Sequence, residues 1–225
     1  MLKLEALRVK IAGLEVLRGV CFEVPDQAVV ALVGRNGAGK TTTLRAIMGL
    51  VAPEAGRILL DGQDLAAIAP HRRAHCGVGY APENRQLVPE FTAEDNVLLP
   101  CLAMGLGRQE TRRRLELVYA VVPELAALRK RRAAGLSGGQ GKIVALARAL
   151  AAGTRLVLLD EPFEGLAPAL AASYAAALHR LRRATPAVAM LVTESSPALL
   201  ASVADLVLYV ERGAIGREPA ASKRS

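Results

Sequence analysis

The chain has 225 residues and a mass of 23.7 kDa, enough for one large domain or two small ones with a substantial core and no need of disulfides or a structural metal. Hydrophobic residues make up 52% and charged residues 22%, a globular composition that excludes disorder for the bulk of the chain. The net charge of +8 suits an anionic partner, but 3% aromatic residues and no tryptophan leave few platforms for stacking single-stranded bases.

No apolar run reaches the roughly 18 residues that a membrane helix needs; the best candidate, Ala198 to Val210, is broken by Asp205. Met1 to Lys10 lacks the apolar centre and cleavage site of a signal peptide, so a cytoplasmic protein is expected. Cys21, Cys76 and Cys101 are too widely spaced for a zinc knuckle or redox pair and are expected to be buried or half-buried apolar groups.

In chain order, Met1 to Val9 and Val16 to Val24 read as an antiparallel hairpin turning at Ala12-Gly13. Ala28 to Val33 is a wholly apolar, β-branched run, the pattern of a strand buried on both faces. Thr42 to Leu50 has helical spacing, Arg57 to Leu60 reads as a strand, and Asp61-Gly62 as a hairpin-type turn. From Ala93 to Ala134 helical periods are interrupted by Pro100, Gly105, Gly107 and Pro123, and the arginine runs there read as solvated helix faces or as contacts with a membrane partner. Helix (Gly141 to Ala151), strand (Leu156 to Leu159), helix (Ala169 to Arg183), strand (Val188 to Val192), helix (Pro197 to Val203) and strand (Leu206 to Val210) follow, an alternation that predicts a parallel sheet. A polar, basic tail from Gly216 is expected to fray.

Gly34-Arg35-Asn36-Gly37-Ala38-Gly39-Lys40-Thr41, between a strand and a helix, matches the phosphate-binding loop G-x-x-x-x-G-K-[ST]. Glycines let the backbone wrap closely with its amides inward, and the helix start adds its positive end, so a polyphosphate is the natural guest. Lys40 can reach the outer phosphates, and the hydroxyls of Thr41 and its neighbour Thr42 lie at the same helix start, with Thr41 placed for Mg²⁺. The apolar strand ending in Asp160-Glu161-Pro162 puts two carboxylates where ligands of parallel sheets gather. Asp160 is expected to hold Mg²⁺ through its water shell, and Glu161 to orient or deprotonate an attacking water. Leu136-Ser137-Gly138-Gly139-Gln140 opens a helix and makes a second anion site.

These three motifs in this order resemble the ATP-binding cassette (ABC) family, of which LSGGQ is the signature. The resemblance covers nearly the whole chain. It implies a single α/β P-loop NTPase domain over 1–225: a core of about 1–85 and 136–215 with an antiparallel β subdomain, an inserted helical subdomain over about 86–135, and a basic tail over 216–225. It also implies a head-to-tail dimer, homomeric or with a second ABC ATPase, in which Ser137 acts in trans and Glu164-Gly165-Leu166 forms the D-loop crossing the interface. ATP would close the dimer and hydrolysis open it, with ATP and Mg²⁺ as cofactors.

Tyr80 to Arg85, Phe91 to Val97 and Asp160 to Pro168 look more narrowly like the ATPase subunits of branched-chain amino acid importers, whose relatives serve urea and other amides. Glu83 takes the Q-loop position there, sensing Mg²⁺ or the attacking water, and the region from Glu83 to Gly105 would touch membrane permease subunits. A periplasmic or extracellular solute-binding protein would join indirectly, no nucleic acid is expected, and the protein would sit on the cytoplasmic face of the inner membrane. A catalytically weakened regulatory partner is the rival reading; a DNA-repair or translation ABC protein lacks support, because there is one cassette and no coiled-coil insertion.

Three departures bear on mechanism. Ile11 stands where the family places an aromatic against adenine, which predicts weaker or less base-selective binding. Gln27-Ala28 replaces the usual Gly-Glu, changing only a turn. Thr193-Glu194-Ser195 follows the strand where the switch histidine should come; ionised Glu194 cannot donate a hydrogen bond to a γ-phosphate. A like charge at about 4 Å costs roughly 4 kcal/mol at an effective dielectric near 20. Glu194 is therefore expected to turn away, to be protonated, or to slow hydrolysis, unless a one-residue slip puts Thr193 or Ser195 in its place.

Overall fold

A computed structural model describes residues 1–216. The opening hairpin pairs β1 (Leu2–Ile11) with β2 (Leu14–Val24) in antiparallel register, and positive φ at both Ala12 and Gly13 gives the turn the twist its strands need. Next come the fully buried β3 (Val29–Val33), α1 (Lys40–Met48), β4 (Ala55–Leu60), β5 (Gln63–Asp64) and β6 (Val78–Ala81). α2 (Ala93–Ala103), α3 (Arg108–Val121) and α4 (Leu125–Leu128) form the helical stretch. α5 (Gly138–Ala152), β7 (Leu156–Asp160), α6 (Pro168–Ala184), β8 (Ala189–Glu194), β9 (Leu206–Glu211) and β10 (Ala214–Gly216) complete the described chain.

The strands form two sheets. One is antiparallel in the order β2-β1-β4-β5; the other is six-stranded in the order β10-β9-β3-β8-β7-β6, parallel except for the β10 edge. Alternation along β3 divides the core between the faces of the second sheet. Val30 and Leu32 pack with α1 and the antiparallel sheet, whereas Val29, Ala31 and Val33 pack with α5, α6 and the helical stretch. Because β3, β8, β7 and β6 are parallel neighbours, the loops after all four emerge on one edge, which is where the phosphate loop and the carboxylates lie.

Four expectations are corrected. Cys21 is exposed, because β2 turns Val20, Phe22 and Val24 inward and so turns Cys21 out beside Glu23; Cys76 is half-buried and Cys101 buried, as expected. Pro100 does not interrupt the helix: α2 runs through it, anchored by a Thr92–Asp95 capping box and by Ala93, Val97 and Cys101 buried in the core, which offset the missing amide. Pro197 to Val203 is no helix but a single 3₁₀ turn, Pro197–Leu199, followed by turns that bury Leu200 and Val203. The first 85 residues also hold two 3₁₀ segments, Leu65–Ala67 and Pro70–Cys76, beside the one expected α-helix. The basic tail lies outside the described residues beyond Gly216.

The second of those 3₁₀ segments carries Arg73, which is 4% exposed and closes the far end of the phosphate-loop helix. Its guanidinium donates to the carbonyls of Ala46, at 3.0 Å, and Ile47 in the last turn of α1, and to the Ile68 carbonyl at 3.1 Å. Gly49 terminates α1 in the left-handed region, where a Cβ would stand 2.6 Å from the Arg73 guanidinium carbon. Arg73→Met is expected to cost about 3 kcal/mol of stability, read as a lower urea midpoint with an unchanged m-value.

Candidate functional site

Every phosphate-loop residue has a local reason for its place. Gly34 ends β3 where a Cβ would stand 2.3 Å from the Val210 carbonyl oxygen, and Gly37 and Gly39 have φ of 81° and 111°. Gly39 precedes α1 with no side-chain cap, so the first amides of the helix remain open to an anion. Lys40, 3% exposed, curls back so that its Nζ donates to the Gly34 carbonyl at 2.6 Å and the Arg35 carbonyl at 3.3 Å and lies 2.9 Å from Glu161 Oε1.

A cavity of about 590 Å³ opens over this loop. Asn36, Gly37, Gly39, Lys40, Thr41 and Thr42 form one wall, Ile11, Leu14 and Val16 of the β1–β2 hairpin form another, and Glu83, Glu161 and Glu164 bring carboxylates. Arg35 and Ala38 face away, toward Tyr209 and Arg212. Ile11 is 43% exposed and the nearby Leu14 more so, an aliphatic shelf with no π-face.

Asp160, at the end of β7, is buried. Its Oδ1 accepts from Thr41 Oγ1 at 3.0 Å and Thr193 Oγ1 at 2.8 Å, and its Oδ2 accepts from the Tyr80 hydroxyl at 3.3 Å. Burial pushes its pKa up, opposed by these three hydroxyls. Burial also raises Glu83, helped by the neighbouring carboxylates of Glu164, Asp160 and Glu161. Crowded carboxylates beside a threonine hydroxyl are hard oxygen donors whose mutual repulsion a cation relieves, so the residues fit Mg²⁺ arriving with a polyphosphate. Tyr80 and Thr193 had no role as metal-site supports in the sequence reading, although both lie within stretches it singled out.

Glu161 has a φ of 44° and precedes Pro162, a conformation that ordinary side chains avoid. Its amide donates to the carbonyl and hydroxyl of Thr193, both at 3.1 Å. Glu164 lines the cavity, Gly165 turns the loop with a φ of 68°, and Leu166 packs on the core. Glu194 does not line the cavity: it is fully buried, its Oε1 accepts from the Phe163 amide at 2.9 Å, and its Oε2 has no partner among the described residues. Of the outcomes expected for this side chain, its burial and its bond to the Phe163 amide accord with a carboxyl turned away from the cavity. Thr193 is spent on Asp160 and Glu161.

The signature motif lies outside the cavity. Ser137 caps α5: its Oγ accepts from the Gln140 amide at 3.3 Å, while Gln140 Oε1 accepts from the Ser137 amide at 3.0 Å. Leu136 packs on the core; Gly138 lies against Arg85, and a Cβ at Gly139 would stand 2.2 Å from Leu170. Ser137 is exposed, facing outward from this chain.

The family profile described as ABC transporter matches residues 17–164. The lipopolysaccharide export system ATP-binding protein LptB of Acidithiobacillus ferridurans is 42% identical over 68% of this chain and 63% of its own length. The Fe(3+) ions import ATP-binding protein FbpC of Mesorhizobium japonicum is 39% identical over 92% of the chain and 57% of its own length. The probable branched-chain amino acid transport ATP-binding protein LivF of Archaeoglobus fulgidus is 33% identical over 76% and 72%. The chain thus spans less than two thirds of the length of the first two. Among solved structures, an ATP-binding subunit of an ABC transporter superposes with a TM-score of 0.82 at 31% identity, covering 96% of this chain and 88% of that one. A dimeric bacterial ABC transporter cassette has the same fold, with a TM-score of 0.85 at 24% identity over 97% and 98%. Phosphate loop, paired carboxylates and signature helix stand on one cassette fold, and the chain belongs to the ABC transporter family.

Proposed function

We propose that this chain binds ATP with Mg²⁺ and hydrolyses it as the nucleotide-binding subunit of an importer for branched-chain or related amino acids. The observation that carries the ATPase reading is the Lys40–Glu161 ion pair above the open amides of α1, with Thr41 and Asp160 beside it. At rest Lys40 neutralises Glu161. Phosphate oxygens entering the loop compete for the Lys40 ammonium, and as it moves to them the Glu161 carboxylate is released to accept a proton from water. Mg²⁺, when bound, neutralises charge on the outer phosphates. Thr193, holding both Asp160 and the Glu161 amide, keeps the two acids in fixed relation throughout.

The solute assignment rests on the stretches around Glu83 and Glu161 and on the likeness to LivF. An importer ATPase for another solute such as urea is the alternative, since the relatives carry names of several solutes. Phe91 and Leu102, both exposed apolar side chains within the Glu83 to Gly105 region, suit docking against a permease on the cytoplasmic face of a membrane. Among the described residues no helix is long and apolar enough to cross one. The outward-facing Ser137 suits a second cassette, identical or not, whose nucleotide it completes. The buried Glu194 motivates a second reading, in which position 194 supplies no donor to a γ-phosphate, turnover is slow and the chain acts chiefly as a regulatory partner.

Burial pushes Glu194 up to about 7, with the Glu161 charge adding to the rise and the Phe163 amide and Lys142 opposing it; Tyr174 is the other ionisable group beside it. Because the folded pKa lies above that of the unfolded chain, folding holds the proton more tightly, and stability falls as pH rises from about 4.5 to 7.

Steady-state hydrolysis tests the main reading. Glu161→Gln is expected to lower kcat by about 10² to 10⁴ while nucleotide binding persists, and equal rates in both proteins would exclude Glu161 as the base. Ile11→Tyr is expected to tighten ATP binding by about tenfold or more, with a gain in discrimination against GTP, in equilibrium titrations. Glu194→Gln is expected to raise stability by about 3 kcal/mol at pH 8, the gain shrinking as pH falls from about 7 to 4.5, in denaturant titrations of nucleotide-free protein.

A further inference from the structure

The loop from Glu161 to Glu164 is held by side chains that make no contact with the nucleotide cavity. Lys142 on α5 donates from Nζ to the Glu161 carbonyl and the Glu164 carbonyl, both at 2.7 Å. Glu194 on β8 accepts the Phe163 amide at 2.9 Å. Thr193 takes the Glu161 amide. The loop is thus held from two separate elements, its Glu161 and Glu164 carbonyls from α5 and its Glu161 and Phe163 amides from β8.

Such a grip matches what the loop requires. Glu161 has a positive φ immediately before a proline, and a backbone of this kind persists only where its surroundings over-determine it. Lys142 is half-buried, and burial lowers its pKa against the raising pull of Glu164, Glu194, Glu83 and Glu161. A lysine placed there only to offset charge has no need to direct its donors at two backbone carbonyls. Lys142 also stands on the helix that Ser137 caps, just before the buried apolar run from Ile143 to Ala147.

We propose that Lys142 and Glu194 are positioning residues that lock the loop carrying Glu161, so that any displacement of the signature helix is transmitted through Lys142 to the catalytic glutamate of the same chain. The inference rests on Glu161 acting as the base. Nucleotide held by the partner cassette at Ser137 would thereby set the aim of Glu161 in this one. Glu194, in place of a group that bonds phosphate, serves the loop from the core side.

Hydrogen exchange of the nucleotide-free protein, read by mass spectrometry over residues 161–166, tests the lock without any turnover. Lys142→Met and Glu194→Ala are expected to speed exchange there by about tenfold or more, while Glu194→Gln, which keeps an oxygen for the Phe163 amide, retains the protection. Lys142→Met is also expected to lower kcat about tenfold with ADP affinity within about twofold of wild type, a split that simple destabilisation does not give. Unchanged exchange in both Lys142→Met and Glu194→Ala overturns the proposal, as does faster exchange spread evenly over the whole chain. If the wild-type protein shows no hydrolysis while the local exchange differences stand, the ATPase reading fails and the lock holds.

Discussion

The buried contact between Lys40 and Glu161 joins the two halves of the site, and the arrangement around it depends on that closure. Their strands, β3 and β7, are not neighbours: β8 lies between them, so the pair bridges over the end of a third strand. Two desolvated charges gain little net stability from each other unless further hydrogen bonds satisfy them. Here the Gly34 and Arg35 carbonyls share the lysine, which lets the pair persist at rest and still yield to a ligand that brings more oxygen. Near the end of the strand beneath, Thr193 bonds to both Asp160 and the Glu161 amide.

A chain of net charge +8 thus keeps an acidic centre. Asp160, Glu83 and Glu194 are all raised by burial, and each feels at least one neighbouring carboxylate. Lys40 and Lys142 enter among them, one from the phosphate loop and one from the signature helix. The site at rest is therefore short of positive charge, the condition under which a divalent cation and a lysine-bound polyphosphate are held together rather than singly.

Most of the fold was legible because the chain writes it in patterns with one physical meaning. The unbroken apolar runs of β3, β7 and β8 specify strands buried on both faces, and glycines at Gly34, Gly37 and Gly39 stand where close approach or a positive φ requires them. Motif spacing located the phosphate loop, Asp160, Glu161 and the signature cap. What stayed hidden was decided by tertiary contact. Pro100 reads as a helix breaker, but burial and a capping box override a missing amide. The apolar run from Pro197 to Val203 reads as a helix, but only Leu200 and Val203 find the core. Lys142 carried a faint signal, a cation beside Ile143 and Val144 on a largely buried helix, with no way to tell from spacing which carbonyls it would meet.

The fate of Glu194 follows from alternation along β8. In the parallel register Thr193 lies beside Leu32 and Asp160, on the face shared with α1, whereas Glu194 lies beside Val33, on the face shared with α5 and α6. Adjacent residues therefore serve opposite sides of one sheet: Thr193 bonds the Asp160 carboxylate, and Glu194 is directed at Phe163, Lys142 and Tyr174. Reading position 194 as a charge aimed at phosphate considers its place along the strand but not the side on which it leaves it. A carboxylate on the α5 face has a use that a carboxylate on phosphate lacks, since it accepts a backbone amide that the strained turn after Glu161 would otherwise leave buried and unpaired. The departure from the family pattern is thus matched by a bond that steadies the loop where the chemistry begins.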